Sequence, residues 1–223
     1  MCFSAAASFS AAAVCGAIGA AALRQAGKAD RMLAAIPVIF AAHQALEGAV
    51  WLTGGEGVGR CAGYGFASVA FCFWPIYTPL AARLSEPSAR RRTWMLPFLV
   101  LGIVVAVAAA SVLYAGLKID FAAHHIKYIP GRRYPLIFDY LYAVAVAGPL
   151  LLCRSIYLRI FGCLILTFFG ASTLLFNPAR YSVWCFFAAA SSVVLYFFIV
   201  SRSASPQGRP ASAQKEVPAG LET

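Results

Sequence analysis

The sequence predicts an all-α integral membrane protein, a bundle of seven transmembrane helices with its N-terminus outside and its C-terminus in the cytoplasm. Of its 223 residues, 61% are hydrophobic and only 12% are charged, and the mean hydropathy is +0.77. Soluble domains carry about 25% charged residues, so the composition excludes a water-soluble globule. A spanning helix needs roughly 20 apolar residues. The chain therefore has room for about six to eight helices and for no separate soluble domain.

Seven apolar runs supply the predicted helices. They cover about residues 3–23, 33–53, 62–82, 95–117, 135–153, 156–176 and 181–201. Only Cys153, Arg154 and Ser155 separate the fifth run from the sixth, which favours a tight hairpin with Arg154 at a membrane surface. The residues after 201 include too few apolar groups to fold, so we expect 202–223 to be a disordered cytoplasmic tail.

The distribution of Lys and Arg predicts the orientation. One set of connecting segments, around 24–31, 83–92 and 154–159 together with the tail, carries twelve of these residues, whereas the opposite set carries six. Cytoplasmic loops are enriched in Lys and Arg, so the first set is predicted to be cytoplasmic. This bias and the attraction to anionic lipid headgroups account for the net charge of +10. Membrane lipids are therefore the expected partners, no nucleic-acid partner is needed, and protein partners stay unknown.

Ionisable side chains inside the predicted spans are candidate site residues, because each costs several kcal/mol in hydrocarbon unless it is paired or hydrated. His43 and Glu47 lie four residues apart in the second run and therefore share a helix face, with Gln44 and Trp51 beside them. Asp139 lies one turn into the fifth run from its outer end. We expect Glu47 and Asp139 to be catalytic, His43 to bind a metal, and Gln44 and Trp51 to bind a ligand.

Further candidates occur at the same predicted depth, in the longest loop, 118–134, and at the outer ends of the first and seventh runs. They are His124, His125 and Tyr128 in the loop, and Cys2, Trp184 and Cys185 at the two helix ends. Imidazole, carboxylate and thiol groups thus share one depth. We expect His124 and His125 to bind a divalent metal such as zinc, Cys2 to be catalytic, and Tyr128 and Trp184 to line the ligand.

Structural interpretations of the polar residues stay open. His43 and Glu47 also fit a hydrogen-bonded pair that joins helices, as polar residues in membranes often do. Histidines in loops are often only solvated. Asp139 also fits an ion pair with Arg132 or Arg133.

The cysteines leave two alternatives at the outer face. Cys2 fits either a free thiol that acts as a nucleophile or metal ligand, or a disulfide with Cys61 or Cys185 in an oxidising compartment. No CxxC spacing occurs, so a structural cysteine-rich metal site is not predicted.

Four segments of the chain form a recognisable set. They are residues 1–9 (MCFSAAASF), 43–52 (HQALEGAVWL), 124–128 (HHIKY) and 184–188 (WCFFA). Together they resemble an uncharacterised bacterial family of multi-pass membrane proteins, whose members open with Met-Cys-Phe-Ser-Ala and carry a helix with the pattern His/Gln-x-x-x-Glu-Gly-x-x-Trp. The resemblance implies a location in the bacterial inner (plasma) membrane, and it brings no activity with it.

Four functions are compatible with these features. The first is metal-dependent hydrolysis or modification of a lipid-like substrate at an outward-facing His/Glu/Cys site, an analogy with seven-helix zinc hydrolases whose His-x-x-x-His pair this chain lacks. The second is binding of a lipid, quinone or haem-like ligand. The third is proton-coupled transport by His43 and Glu47, and the fourth is a structural role in a membrane complex.

Overall fold

The computed structural model describes residues 4–122, 125–132 and 135–204, and this part of the chain folds into helical rods and one β-hairpin. The rods are α1 (Ala5–Gln25); α2 (Arg31–Thr53), after a 3-10 turn at Lys28–Asp30; α3 (Val58–Ser68), which continues through a π-helical turn (Val69–Phe73) into α4 (Trp74–Ser85); α5 (Ala89–Trp94) with α6 (Leu96–Tyr114); α7 (Leu136–Leu152); α8 (Ile156–Leu175); and α9 (Arg180–Ser191) with α10 (Val193–Ser203), after a 3-10 turn at Asn177–Ala179.

Six of the rods within the described residues are long and apolar enough to cross a membrane. The remaining apolar helix, α7, has 17 residues and is shorter than the others. The rod that contains α3 and α4 covers Val58–Ser85, so it begins earlier and ends later than the apolar run at 62–82. The chain is therefore a multi-pass membrane protein by the length and composition of its helices.

The connection between α6 and α7 contains a β-hairpin that the sequence analysis did not predict. The fourth apolar run was expected to be helical to residue 117, but α6 ends at Tyr114 and Gly116 adopts a φ of 123°, which only glycine adopts readily. Strands β1 (Leu117–Ala122) and β2 (His125–Pro130) then pair in antiparallel register, with Asp120 opposite Lys127. Apolar and polar residues alternate along β1, which is the strand period. This part of the expected loop is therefore regular structure.

Hydrogen bonds gather the four segments that carry most of the Lys and Arg at one end of the bundle, here called the basic end. The side chain of Arg202, near the end of α10, donates to Asp30 before α2 (3.2 Å), and Asp30 also accepts from Ser85 at the end of α4. The Arg91 guanidinium donates to the Leu152 carbonyl (2.7 Å). The segments that carry most of the Lys and Arg are thus neighbours in space.

Glu86 joins two helix starts at the basic end. It is 3% exposed, and its carboxylate accepts from the backbone N–H groups of Ser88 (3.2 Å) and Arg154 (2.8 Å). Ser88 is the N-cap of α5, and Arg154 directly precedes Ser155, the N-cap of α8. A negative charge at helix N-termini is favourable, because it satisfies unpaired N–H groups and complements the helix dipole.

The opposite end of the bundle, here called the hairpin end, carries the β-hairpin. The backbone N–H of Leu117 donates to the hydroxyl of Tyr64 in α3 (2.9 Å), and the buried side chains of Ile126 and Tyr128 pack into the core beside Phe66. The hairpin therefore covers the ends of α2 and α3. Since connections alternate between the two ends, successive rods of the described chain run in opposite directions.

Small residues set the separation of the rods. A β-carbon on Gly102 of α6 would overlap the Pro75 carbonyl of α4, so the two helix backbones touch at this position. Close approach through small residues is the usual way in which membrane helices gain van der Waals contact.

We expect Gly102→Ala to destabilise the protein by about 1–3 kcal/mol, because the added methyl group must push α6 away from α4. Thermal unfolding of the detergent-purified protein measures the effect. Gly170→Ala in α8 is the matched control, since a β-carbon there meets nothing within 4 Å. Equal melting temperatures for the two variants would contradict the close contact between α4 and α6.

Candidate functional site

The inner face of α2 carries three polar side chains that are removed from solvent. His43 is 1% exposed, and Gln44 and Glu47 are both fully buried. They follow one another along one side of the helix because residues three and four apart share a face. This polar face of α2, defined by His43, Gln44 and Glu47, lies toward the hairpin end and packs against α3 and α9.

Glu47 connects the polar face of α2 with α9. Its Oε1 accepts a hydrogen bond from the hydroxyl of Ser182, and the thiol of Cys185, one turn further along α9, lies within electrostatic reach of the same carboxyl group. Within the described residues, the second carboxyl oxygen, Oε2, is buried and has no hydrogen-bond partner. One of the two oxygens of this carboxyl group is thus held in place and the other is unsatisfied.

His43 connects α2 with α3 through a backbone group. Its Nε2 lies 3.1 Å from the carbonyl oxygen of Phe66, and its ring stacks on the Phe66 ring at a centroid distance of 4.1 Å. A carbonyl only accepts, so Nε2 carries the hydrogen and Nδ1 of the neutral ring offers a lone pair. In the described part of the chain, this Nδ1 is buried and has no hydrogen-bond partner. His43 and Glu47 do not bond each other; each joins α2 to a different neighbour.

Gln44 and Trp51 contribute further unsatisfied groups to the same side of α2. Both the oxygen and the nitrogen of the Gln44 amide are buried without a hydrogen-bond partner among the described residues, and so is the indole nitrogen of Trp51. The Trp51 ring meets Phe121 of β1 edge-on, with centroids 5.5 Å apart. The hairpin thus contacts Trp51, one of the two ligand-binding candidates of α2, directly.

Tyr128 of β2 extends the aromatic contacts of His43. The Tyr128 ring stacks on Phe66 at 4.5 Å, so His43, Phe66 and Tyr128 form three successive layers from α2 through α3 to the hairpin. His125, also on β2, meets Phe176 edge-on at 5.5 Å and so lies against the end of α8. The Phe66 ring therefore separates Tyr128 from His43, whereas the ring contact of His125 is with a different helix.

Asp139 is engaged in an ion pair that the sequence analysis assigned to other partners. Its Oδ2 accepts from the guanidinium of Arg180 at 2.8 Å, and its Oδ1 accepts from the Tyr181 hydroxyl at 3.0 Å. The cation comes from the start of α9 rather than from Arg132, whereas Arg133 lies outside the described residues. Each oxygen of the carboxylate thus accepts one hydrogen bond from a side chain of α9, and the expected role of Asp139 as a general base stays a prediction.

Trp184 lines an interior cavity. Its indole N–H donates to the Ile165 carbonyl of α8 (3.1 Å), and its ring borders a cavity of about 30 Å³, close to the volume of one water molecule. A second cavity of about 10 Å³ shares Tyr142, Trp184 and Cys185 with the first and reaches Asp139. Two small apolar spaces therefore lie between the ion pair of Asp139 and the core beside Cys185.

The remaining metal and thiol candidates are only partly described. Cys2 and His124 lie outside the described residues, while Cys61 and Cys185 are free thiols. Burial beside Glu86 raises the pKa of the Cys153 thiol to about 12, so this cysteine is inert at neutral pH. Among the residues that the structure describes, no group of three or more His, Cys, Asp or Glu side chains is close enough to hold a metal ion.

Several residues of this region escaped the sequence analysis. Ser182, Arg180 and Tyr181 supply the partners of Glu47 and Asp139, and all three precede the segment 184–188 at the start of α9. An arginine beside a tyrosine at a predicted helix end was a usable signal, because a cation there must find a counter-charge. The carbonyl acceptor at Phe66 had no signal in the sequence, since every residue carries one.

We expect Asp139→Asn to lower the stability by about 3 kcal/mol, because it leaves the partly buried Arg180 guanidinium without its counter-charge. Thermal unfolding in detergent measures the loss. Tyr181→Phe is the control, since it keeps the ion pair and removes only the two hydrogen bonds of the Tyr181 hydroxyl, which donates to Asp139 and accepts from Arg180. At about 1 kcal/mol for each bond, the expected loss is smaller than that of Asp139→Asn. A melting temperature of Asp139→Asn equal to that of the wild type would show that the ion pair contributes nothing.

Comparison with known proteins identifies a family without an assigned activity. The model of a family described as "Family of unknown function (DUF6629)" matches residues 1–211, nearly the whole chain. No curated protein and no solved structure matches it. The resemblance to an uncharacterised family is thereby confirmed, and the chemistry has to be argued from the residues themselves.

Proposed function

This chain belongs to that family of unknown function, and we propose that it is a bacterial inner-membrane protein that binds a lipid-like ligand through the polar face of α2. The ligand's polar group contacts His43, Gln44 and Glu47 near the hairpin end. Its apolar part lies among the helices or in the bilayer.

The observation that carries this proposal is the set of unsatisfied polar atoms on α2. His43 Nδ1, both ends of the Gln44 amide and Glu47 Oε2 are buried without hydrogen-bond partners in the described part of the chain. An unpartnered buried polar group costs about 1–3 kcal/mol, and native proteins contain few of them. Four such atoms lie within two turns of one helix, so the free-energy cost of unpaired polar groups is concentrated there. A ligand that forms hydrogen bonds with these atoms removes that cost.

The chemistry of these atoms restricts the ligand. The Gln44 amide nitrogen and the Trp51 indole nitrogen are donors, whereas His43 Nδ1 and Gln44 Oε1 are acceptors. A carbonyl or hydroxyl group of a lipid or quinone supplies complementary atoms. The cavities of about 30 Å³ and 10 Å³ are lined by Cys185 and not by His43, Gln44 or Glu47, and both are too small for a macrocycle such as haem.

A divalent metal such as zinc is the second candidate, and it would make the same site a hydrolase of lipid-like substrates. It is favoured by two unsatisfied atoms of the type that zinc prefers, an imidazole nitrogen of His43 and a carboxylate oxygen of Glu47. Cys2, His124 and His125 are the proposed sources of further ligands. A zinc-bound water would attack an ester or amide bond. Asp139, held by Arg180, would then contribute to the stability of the site.

We expect Glu47→Gln to abolish ligand retention while leaving the protein folded. The amide oxygen of Gln still accepts from Ser182, so we expect the stability to change by no more than about 1 kcal/mol. Molecules that copurify with the protein are extracted and quantified by mass spectrometry. Elemental analysis of the same sample measures zinc.

Glu56→Gln is the matched control, because Glu56 is an exposed carboxylate in the turn after α2. The proposal expects a stoichiometric ligand in the wild type and in Glu56→Gln, and at least a tenfold lower occupancy in Glu47→Gln. Stoichiometric zinc without an organic ligand would favour the second candidate. A wild-type protein with neither would contradict both and favour proton-coupled transport or a structural role.

The proposed orientation places the basic end in the cytoplasm and the polar face of α2 near the outer surface. It rests on the partition of Lys and Arg, twelve against six, between the connecting segments. The contacts of Asp30 with Arg202 and of Arg91 with Leu152 support the grouping, since they bring these segments to one end. All seven rods, including the shorter α7, span the membrane in this arrangement.

We expect reporter fusions after Arg92 and after Arg202 to be cytoplasmic and insertions within 118–134 to be external. Two reporters identify the side of the membrane on which each fusion lies. Alkaline phosphatase is active only outside, and green fluorescent protein is fluorescent in the cytoplasm. An external reporter after Arg92 would reverse the orientation and would place the polar face of α2 near the cytoplasm.

A further inference from the structure

A groove of about 470 Å³ runs along the outer surface of the rod that contains α3 and α4. It begins at Ser68 and ends at Leu80, and its lining between them is Val69, Cys72, Phe73, Ile76 and Tyr77. All of these residues belong to this one rod, so the groove is open along its outer side. The Tyr77 hydroxyl donates to the Met32 carbonyl of α2 (2.9 Å), so its polar group is already bonded to protein. Apart from Ser68 at one end, the walls therefore offer apolar surface.

The length and position of the groove fit a hydrocarbon chain. Twelve residues separate Ser68 from Leu80, which is about 18 Å along a helix at about 1.5 Å per residue. One leaflet of a bilayer has a hydrocarbon thickness of about 15 Å, half of the usual 30 Å. The groove thus extends from the middle of the rod to the basic end, the depth that a single acyl chain occupies.

A cluster of arginines continues the groove at the basic end. Arg83 lies three residues after Leu80 and seven after Ile76, which places it on the same face of α4. Its Nε donates to the carbonyl oxygen of Arg92 (3.2 Å), so the guanidinium of Arg83 is held beside α5. Arg90, Arg91 and Arg92 follow within α5, where all three are exposed.

No acidic side chain of the described residues forms a salt bridge with this arginine cluster, defined by Arg83, Arg90, Arg91 and Arg92. The salt bridges of the described chain involve other arginines, Arg180 with Asp139 and Arg202 with Asp30. The nearest acid in the sequence, Glu86, is buried and accepts from backbone N–H groups instead. Three of these four cationic groups are exposed, so an external anion can reach them at the end of the apolar groove.

We propose that this surface is a binding site for an anionic phospholipid of the same leaflet, with one acyl chain in the groove and the phosphate between Arg83 and Arg92. Guanidinium groups bind phosphate oxygens through paired, charge-assisted hydrogen bonds, which gives arginine an advantage over lysine here. The groove supplies contact area for the chain, and the cluster selects the charge of the headgroup. This site is separate from the polar face of α2 and does not depend on it.

Native mass spectrometry of the full-length protein in detergent tests the proposal. The protein is titrated with phosphatidylglycerol and with phosphatidylcholine of identical acyl chains. We expect the wild type to prefer phosphatidylglycerol by at least about tenfold, since each of the two arginines beside the phosphate contributes an attraction of about fivefold. Arg83→Gln with Arg92→Gln should remove the preference. Arg92→Gln alone should reduce the preference for phosphatidylglycerol. Because Arg92 is exposed, this single variant is expected to fold even if the double variant does not.

Two further variants separate this site from general charge attraction. Arg159→Gln removes an exposed arginine of α8 near the basic end and should keep the full preference. Ile76→Trp fills the groove and should weaken the binding of both lipids severalfold. Equal binding of the two lipids to the wild type, an equal loss in Arg159→Gln and Arg92→Gln, or unchanged binding in Ile76→Trp would each overturn the proposal.

Discussion

Glu47 imposes the strictest physical constraint on this structure, because its carboxyl group is buried within helices that are apolar nearly all round. Such a group is tolerated only where neighbouring helices supply a donor at a fixed position. Ser182 of α9 is that donor, and His43, one turn earlier on α2, bonds to the Phe66 carbonyl of α3. The positions of α3 and α9 relative to α2 are therefore tied to polar contacts as well as to packing.

The rod formed by α9 and α10 is positioned by an ion pair at each of its ends. Arg180 at its start bonds to Asp139 of α7, and Arg202 near its end bonds to Asp30 before α2. Each ion pair has an aspartate that is less than one-tenth exposed, so water competes only weakly with the arginine for hydrogen bonds to the carboxylate. Ser182, which bonds to Glu47, lies just beyond the first of them. The rod thus has little freedom to slide along its own axis, and the donor to Glu47 stays in register.

The sequence predicts the helical membrane fold well because hydropathy is a property of single segments. The polar face of α2 was likewise readable from the spacing of His43 and Glu47 on one helix. The partner of Asp139 could not be predicted from the sequence, because hydropathy carries no information on which rods are neighbours. Arg180, the partner in the structure, lies forty-one residues away along the chain. The hairpin was not predicted for another reason. Leu117, Ile119 and Phe121 alternate with polar residues directly after an apolar helix, so a hydropathy average over a long window counts them with that helix.

Two of the bonds that join the rods end on backbone carbonyls near the π-helical turn. The Phe66 carbonyl faces His43, and the Ala70 carbonyl accepts from the Tyr142 hydroxyl of α7 (2.6 Å). A backbone acceptor persists whatever side chain its residue carries. Substitutions at position 70 that respect its limited space therefore leave the anchor of Tyr142 intact. In such a contact the donor side chain must be kept during evolution, whereas the side chain of the acceptor residue can change. Correlated substitutions at the two positions would therefore not reveal that these helices touch.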